Sequence, residues 1–203
     1  FLTVAFFSLV LIGTSPIRAE IKVVTTIKPL HSLVANVMDG VGEPSLIIEG
    51  STSPHSFTLK PSHAKLLEEA DLIFWIGEGI ETFMERPLES IVKNAEVVEF
   101  MEIESIEKLK FREESIFGEH DDHDDHDDHD DHDEEGHDDH EGHEGHNHGE
   151  FASHIWLDPS NAKEMVHEIA HELGDLDPAN KDKYEANAEA TIIALEQLIS
   201  DVS

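Results

Sequence analysis

The sequence predicts an α/β fold built on a mostly parallel, four-stranded sheet that is flanked by helices. Short β-branched or apolar segments alternate with helical patterns along the chain, which is the order that βαβ units produce. The segment 72–76 is apolar at every position, as expected for a parallel strand that is covered on both faces. Two helical patterns follow the last strand, and the second of them, residues 181–202, is long.

Four segments carry strand signals, because they are short and rich in β-branched or large apolar residues. They are residues 21–27, 45–48, 72–76 and 97–98. The carboxyl ends of parallel strands meet at one edge of a sheet, and open α/β sheets bind their ligands at that edge. We therefore expect the functional side chains to follow the strands.

Helical patterns separate these strands. The first begins at Pro29 and ends at Gly40. A second extends from Ser62, the N-cap candidate, to residue 70, and a third covers 82–94 with a kink or break at Pro87.

Two further helices close the chain. The first extends from Ser160 to Leu173 with a continuous apolar stripe, and Gly174 is its predicted C-cap. Asp177 and Pro178 are predicted as the N-cap and the first residue of the last helix.

Acidic residues dominate the composition and exclude several partners. The chain has 46 Asp and Glu against 13 Lys and Arg, for a formal charge of −33. Such a chain repels phosphate backbones and anionic lipids, so we expect no nucleic-acid partner and no direct insertion into a membrane. Cysteine is absent, which excludes disulfides, thiolate metal sites and cysteine nucleophiles, and favours a free protein over a lipid-anchored one.

Both ends of the sequence carry a signal. Residues 1–12 form an apolar run too short to cross a bilayer, and small or turn-forming residues follow it up to Ala19. We interpret residues 1–19 as the remnant of a secretory signal peptide and predict export. The last helical pattern reaches Ser203 without a Gly or Pro stop signal, as in a chain that is cut inside a helix.

An insert rich in His and Asp interrupts the α/β pattern at residues 119–150. It holds 17 of the acids and ten histidines, no Lys or Arg, and no aliphatic or aromatic residue. Without apolar side chains the backbone gains nothing from ordering, so we predict a disordered insert. Repeated imidazoles in an anionic segment favour metal binding over a merely solubilising spacer. The predicted weak metal ligands are His120, His123, His126, His129, His132, His137, His140, His143, His146 and His148.

Three of the six histidines outside the insert stand where ligands are expected. His31 follows the first strand, His55 follows the second, and His154 begins the segment after the insert. Imidazole without thiolate suits zinc, copper or nickel. Each of the three also has an ordinary alternative as a surface or hydrogen-bonded side chain.

Four short motifs and the insert follow one another in a recognisable order. The motifs are Ser53-Pro54-His55 with Leu59-Lys-Pro-Ser62, then Glu69-Ala-Asp-Leu72, Gly77-Glu-Gly-Ile-Glu-Thr-Phe83 and, after the insert, His154-Ile-Trp-Leu-Asp-Pro159. In this order they resemble the zinc-binding periplasmic proteins of ABC importers, the ZnuA type of metal-binding solute-binding protein. The resemblance covers essentially the whole stretch after residue 19.

The resemblance implies two α/β lobes that are joined by a long rigid helix, with the metal in the cleft between them. It implies that His55 and His154 are two of three zinc-ligating histidines, and that the third belongs to a second lobe beyond Ser203. His31 remains a further candidate from its position alone. Some relatives have Glu directly before the first ligand, where this chain has Pro54. The fourth position would then be filled by water or by another carboxylate.

A competing motif lies on the penultimate helix. His167-Glu168-Ile169-Ala170-His171 matches the H-E-x-x-H pattern of zinc metalloproteases. At about 100° per residue both histidines fall opposite the apolar stripe of that helix, whereas a protease needs the motif beneath a cleft. Asp177, at a spacing that resembles the third metzincin ligand, already has a predicted capping role. We therefore interpret the match as a coincidence and expect no enzyme.

The resemblance thus implies high-affinity zinc capture in the periplasm of a Gram-negative type of cell, with Zn²⁺ as the transported ligand. The expected partner is the membrane permease of a zinc ABC importer, and the expected state is a monomer. A periplasmic zinc buffer without a transporter and a zinc metalloprotease remain the alternatives. The predicted parts are a signal remnant (1–19), the first part of the lobe (20–118), the insert (119–150), the last part of the lobe (151–176) and a truncated linking helix (177–203).

Overall fold

The four strands form one sheet in which every pairing is parallel. The computed structural model describes residues 20–110 and 151–202. The strands lie in the order β2-β1-β3-β4, with β1 at Val23–Thr25, β2 at Ser45–Leu46, β3 at Leu72–Trp75 and β4 at Glu96–Glu99. The predicted α/β class and four-stranded sheet are therefore confirmed.

Five α-helices surround this sheet in the described part of the chain. They are α1 (Lys28–Val37), α2 (Pro61–Glu69), α3 (Glu85–Ser90), α4 (Pro159–Leu176) and α5 (Lys181–Val202). Helices α1, α4 and α5 pack against one another, and α2 packs against α3. None of the helices in the described ranges combines the length and hydrophobicity that a membrane crossing requires.

The core is a single cluster of apolar side chains that joins the sheet to α1, α4 and α5. Strand β3 is buried at all four positions, as its uninterrupted apolar sequence predicts. Helix α4 contributes the predicted apolar stripe, and α5 contributes Tyr184, Ala188 and Ile192. Burying apolar area at roughly 25 cal/mol per Å² is what holds these layers together.

The predicted start of α2 is wrong by one residue. The helix begins at Pro61 rather than at Ser62, and its N-cap is Lys60 rather than Ser62, because the fixed φ of proline suits the first helical position. The backbone N–H of Lys60 donates to Nδ1 of His63 at 3.2 Å. The side chain of His63 is half-buried, and burial together with the charge of Lys60 lowers its pKa.

The predicted boundary between α4 and α5 is also wrong. Helix α4 continues through Gly174, where a Cβ would lie 3.0 Å from Cγ of Lys181, so the glycine serves the close approach of α5. Asp177 is the C-cap of α4, and its Oδ2 accepts from Nδ2 of Asn180 at 2.7 Å and from the Tyr184 hydroxyl at 3.2 Å. The carboxylate closes the turn between the helices, and α5 itself begins at Lys181.

The region after β3 also differs from its prediction. Instead of one helix over 82–94, a 3₁₀ turn at Thr82–Met84 leads into α3, which ends at Ser90. Pro87 causes no break, because it lies in the first turn, where its missing N–H has no partner to lose. Strands β1 and β2 are shorter than predicted, and α5 covers the helical pattern predicted at 181–202 without the predicted start at Pro178. The predicted signal remnant (1–19) and insert (119–150) lie outside the described residues.

A carboxyl pair between α4 and β4 predicts pH-dependent stability. Burial, a hydrogen bond with Glu96 and the charges of Glu96 and Glu168 raise the pKa of Glu172 from 4.5 to about 7. The folded protein therefore binds a proton more tightly than the unfolded chain, and this contribution to stability is lost as pH rises from about 4.5 to about 7. We expect Glu172→Gln to raise the Tm by about 1–3 °C at pH 8 and to leave it nearly unchanged at pH 5. The measurement is thermal unfolding across this pH range.

Glu185→Gln is the matched control, because it removes the same charge from an exposed position on α5. Parallel Tm profiles for Glu172→Gln and the unsubstituted chain would contradict the shared-proton interpretation.

Candidate metal centre

The loop that carries His55 follows β2 at the carboxyl edge of the sheet. After the strand ends, the N–H groups of Ile47 and Ile48 still donate to the carbonyl oxygens of Thr25 and Thr26, at 2.9 and 3.0 Å. Gly50 then reverses the chain with φ of +72°, a conformation that side-chain-bearing residues rarely adopt. His55 lies in the 3₁₀ turn Pro54–Ser56 that follows.

Phe57 anchors this loop immediately after the histidine. Its ring stacks on His63 at 5.3 Å between centroids and meets Phe83 edge-on at 4.9 Å. Aromatic contacts of this kind contribute about 0.5–1.5 kcal/mol beyond area burial. The exposed imidazole of His55 is thus held by a partly buried aromatic neighbour two residues away.

The segment that carries His154 is held by the residues on either side of it. Ser153 and Ile155 are buried, and His154 precedes the 3₁₀ turn Ile155–Leu157. Nδ2 of the buried Asn161 donates to the carbonyl oxygen of Ile155 at 3.2 Å. These contacts leave the imidazole of His154 exposed on a fixed backbone.

The two chain ends that flank residues 111–150 lie side by side. Lys110 and Phe151 form an antiparallel bridge, and the N–H of Ala152 donates to the carbonyl oxygen of Leu109 at 2.8 Å. Asn161 also binds the backbone N–H and C=O of Glu107, each at 2.9 Å. The two segments that flank residues 111–150 therefore meet at one place, three residues before His154.

His55 and His154 meet in one cavity. Their ring centroids are 5.8 Å apart, and the Trp156 ring lies 5.2 Å from that of His154. The cavity has a volume of about 380 Å³, and the walls include Lys28, Pro54 and residues that follow β1 and β2. Two imidazoles that coordinate one tetrahedral zinc ion hold their ring centres roughly 5 Å apart, so small side-chain rotations would suffice.

This cavity offers two nitrogen ligands from the described chain. Within residues 20–110 and 151–202, no group of three or more His, Asp or Glu side chains is arranged to hold a metal ion. A zinc site normally needs three or four protein ligands. The pair alone falls short of that number, and both rings are exposed.

The structure does not bring His31 to this cavity. His31 lies one turn into α1, and its Nε2 lies 3.1 Å from the carbonyl oxygen of Pro44, just before β2. His31 follows β1 in the sequence, but it does not join His55 and His154, because α1 begins soon after the strand and directs the chain away. Its position corresponds to the ordinary alternative, a hydrogen-bonded histidine.

The H-E-x-x-H histidines occupy a different place. His167 and His171 are exposed, as the helical period predicts, and line a groove of about 300 Å³ between α4 and α5. Nδ1 of His171 lies 3.6 Å from a carboxylate oxygen of Asp175. This groove shares no lining residue with the cavity of His55 and His154. The ten insert histidines lie outside the described residues.

Carboxylates gather around the turn that follows β3. Burial and the charges of Glu102, Glu78 and Glu81 raise the pKa of Glu99 to about 7. Glu81 is fully buried, and burial raises its pKa although a hydroxyl and two backbone N–H groups donate to it. Sequence reasoning missed Glu81 as a structural group; its signal is a carboxylate within a Gly-rich turn directly after a buried strand.

Asn161 should be a large contributor to the stability of the His154 segment. It is buried and makes three hydrogen bonds that join α4, the chain before residue 111 and the 3₁₀ turn. We expect Asn161→Ala to lower the free energy of unfolding by about 1–3 kcal/mol, because it leaves the buried C=O of Ile155 and the partly buried N–H and C=O of Glu107 without these partners. Urea unfolding measures the effect. Asn36→Ala on the exposed face of α1 is the control and should cost less than about 0.5 kcal/mol.

Comparison with known proteins gives the family. The model of the family described as "ZnuA: Zinc-uptake complex component A periplasmic" matches residues 23–203. The high-affinity zinc uptake system protein ZnuA of Brucella abortus is 47% identical over 189 residues, which cover 89% of this chain and 57% of that protein. The protein of the same name from Yersinia pestis is 32% identical over 169 residues, covering 83% and 51%. The chain spans about half the length of the curated relatives it matches.

Solved structures agree with the fold. The metal-dependent lipoprotein YcdH from Bacillus subtilis matches with a TM-score of 0.64 and 23% identity, over 89% of this chain and 53% of that one. Zinc-bound AdcA from Streptococcus pneumoniae matches with a TM-score of 0.63 and 21% identity, over 89% and 31%. The family model, which matches most of the chain, leads to one conclusion: the chain belongs to the ZnuA family of periplasmic zinc-uptake components.

Proposed function

We propose that this chain is the N-terminal lobe of an exported protein that captures zinc and delivers it to an ABC importer. The observation that carries the proposal is the meeting of His55 and His154 in one cavity at the carboxyl edge of the sheet. Membership of the zinc-uptake family supports zinc as the ion. Imidazole ligands without thiolate are consistent with that choice.

Capture needs no covalent chemistry. The neutral imidazoles of His55 and His154 donate nitrogen lone pairs to zinc at about 2.0–2.1 Å. Because protonated imidazole cannot bind a metal, zinc affinity falls when the solution becomes acidic enough to protonate histidine. The protein releases its cargo unchanged, so we propose no catalytic role for His167-Glu168-Ile169-Ala170-His171.

A second lobe would complete the site. Both imidazoles are exposed, and two histidines fall short of the three or four protein ligands that a zinc site normally has. We propose that the third histidine ligand comes from that lobe and that α5 leads towards it. The fourth ligand is water or a carboxylate, since Pro54 stands where some relatives have Glu.

The insert would act as a collector of zinc. Its ten histidines and 17 acids attract divalent cations, and flexible ligands bind more weakly because binding must order them. Lys110 and Phe151, which flank residues 111–150, pair with each other three residues before His154. Ions held by the insert would therefore be concentrated beside the cavity. This position supports a collector over an acidic spacer.

The remaining parts of the proposal concern the protein as a whole. Residues 1–19 would be a signal remnant, and the protein would work as a monomer in the periplasm of a Gram-negative type of cell. Its partner would be the membrane permease of a zinc ABC importer. A periplasmic zinc buffer without a transporter would bind zinc equally well, so zinc uptake in cells that lack only the permease separates the two.

Zinc titration tests the cavity. The protein carries Asn in place of the ten insert histidines, so that these imidazoles do not contribute to the titration. We expect His55→Ala and His154→Ala each to weaken zinc binding at least about tenfold, because each removes a coordinate bond. Isothermal calorimetry with zinc alone measures the dissociation constant and the number of sites.

His31→Ala and His167→Ala are the controls and should leave the dissociation constant within about twofold. Loss of the site in His167→Ala, with His55→Ala unchanged, would overturn the transport proposal and lead to peptidase assays that depend on Glu168.

A further inference from the structure

A buried carboxylate fixes the turn that follows β3. Glu81 has no exposed surface, and the Thr26 hydroxyl donates to its Oε1. The N–H of Gly77 donates to Oε2 at 3.0 Å and that of Ile76 at 3.2 Å. One side chain thus links the residue after β1 to the residues after β3, at the edge of the sheet where the cavity lies.

Burying this carboxylate is expensive unless every hydrogen bond is made. Three donors converge on it, from two different strand ends. If Glu81 were released, the N–H groups of Ile76 and Gly77 would lose these partners inside the protein, which costs about 1–3 kcal/mol for each group. Residues 77–81 therefore form a turn with one stable conformation.

Gly79, in the middle of that turn, contacts the segment that carries His154. A Cβ on Gly79 would lie 2.2 Å from Oγ and 3.2 Å from Cβ of Ser153, the buried residue directly before His154. Gly79 does not have a positive φ, in contrast to Gly77 with φ of +145°. The obstacle to a side chain at Gly79 is therefore the close approach of Ser153. The backbone conformation of Gly79 is not the obstacle.

We infer that residues 77–81 form a seat that sets the position of His154, with Gly79 as the positioning residue and Glu81 as the group that holds the seat rigid. The inference rests on the proposed function, because it assigns this role to a histidine that binds zinc. A metal ligand must be held within about 0.5 Å of its productive position, and a segment that re-enters directly after residue 150 needs a fixed surface to achieve this.

A merely structural role for Gly79 makes a different prediction from a positioning role. Loss of packing alone would lower stability and leave the affinity of the folded protein for zinc unchanged. In the positioning role, the new methyl group displaces Ser153 and with it the backbone next to His154, so we expect the affinity for zinc to change. Affinity and stability therefore have to be measured on the same variants.

Gly79→Ala is the first test, in the full chain with Asn in place of the ten insert histidines. We expect zinc affinity to fall about tenfold in calorimetry, with the Tm lowered by only a few degrees. Ser153→Gly removes both atoms that the new methyl group meets. The double variant Gly79→Ala/Ser153→Gly should therefore bind zinc within about twofold of Ser153→Gly alone.

Gly42→Ala is the matched control. A Cβ there would lie 2.7 Å from Oε1 of Glu20, a similarly close contact but with the end of a flexible side chain, and Gly42 does not line the cavity. It should leave zinc affinity unchanged. Cobalt(II) as a second probe reports the coordination geometry, and its visible absorption should change in Gly79→Ala and not in Gly42→Ala.

The outcomes distinguish a failure of this inference from a failure of the proposed function. If His154→Ala weakens zinc binding and Gly79→Ala does not, the inference is wrong and the proposed function stands. If the double variant stays as weak as Gly79→Ala, the effect does not pass through Ser153, and the inference is again wrong. If His154→Ala has no effect, the proposed function itself fails.

Ser153→Thr covers the case in which Gly79→Ala does not fold. It adds one methyl group to the same contact from the other side. Weaker zinc binding by a folded Ser153→Thr supports the seat, and unchanged binding overturns it.

Discussion

The candidate site depends on the parallel pairing of β1 with both β2 and β3. Because the strands run in one direction, the chain leaves each of them at the same edge, and the loops that follow must turn there with their backbone groups satisfied. Gly50 makes the turn after β2 with a positive φ, and Glu81 satisfies the N–H groups after β3. An antiparallel arrangement would send these loops to opposite edges, and His55 could not approach the segment that follows the insert.

The segment that follows residues 111–150 lies at the same edge of the sheet. Asn161 and the bridge between Lys110 and Phe151 hold the two flanking segments together, so the described lobe is continuous on both sides of residues 111–150. The fold of the described ranges therefore depends on the meeting of these two flanking segments, and His154 lies three residues after one of them.

The larger features of the fold could be predicted from sequence because they depend on local periodicity. The apolar run of β3, the stripe of α4 and the length of α5 are each visible in a few consecutive residues, and the structure confirms them. Boundaries were less predictable, because tertiary contacts compete with local signals. Gly174 looks like a C-cap, but it lies inside α4, where a glycine lets α5 approach, and Asp177 closes a turn instead of beginning a helix.

The sequence by itself determined the α/β class, the order of strands and helices, the extreme acidity of residues 119–150 and the family to which the motifs belong. All of these reside in composition, short-range period or ordered motifs. Only the tertiary structure decided which histidines share a cavity. His31 and His55 both follow strands, but His31 lies inside α1, one turn after its start, whereas His55 lies in the exposed 3₁₀ turn of a loop. The contact of Gly79 with Ser153 likewise joins residues more than seventy positions apart, and no local pattern encodes a distance of that kind.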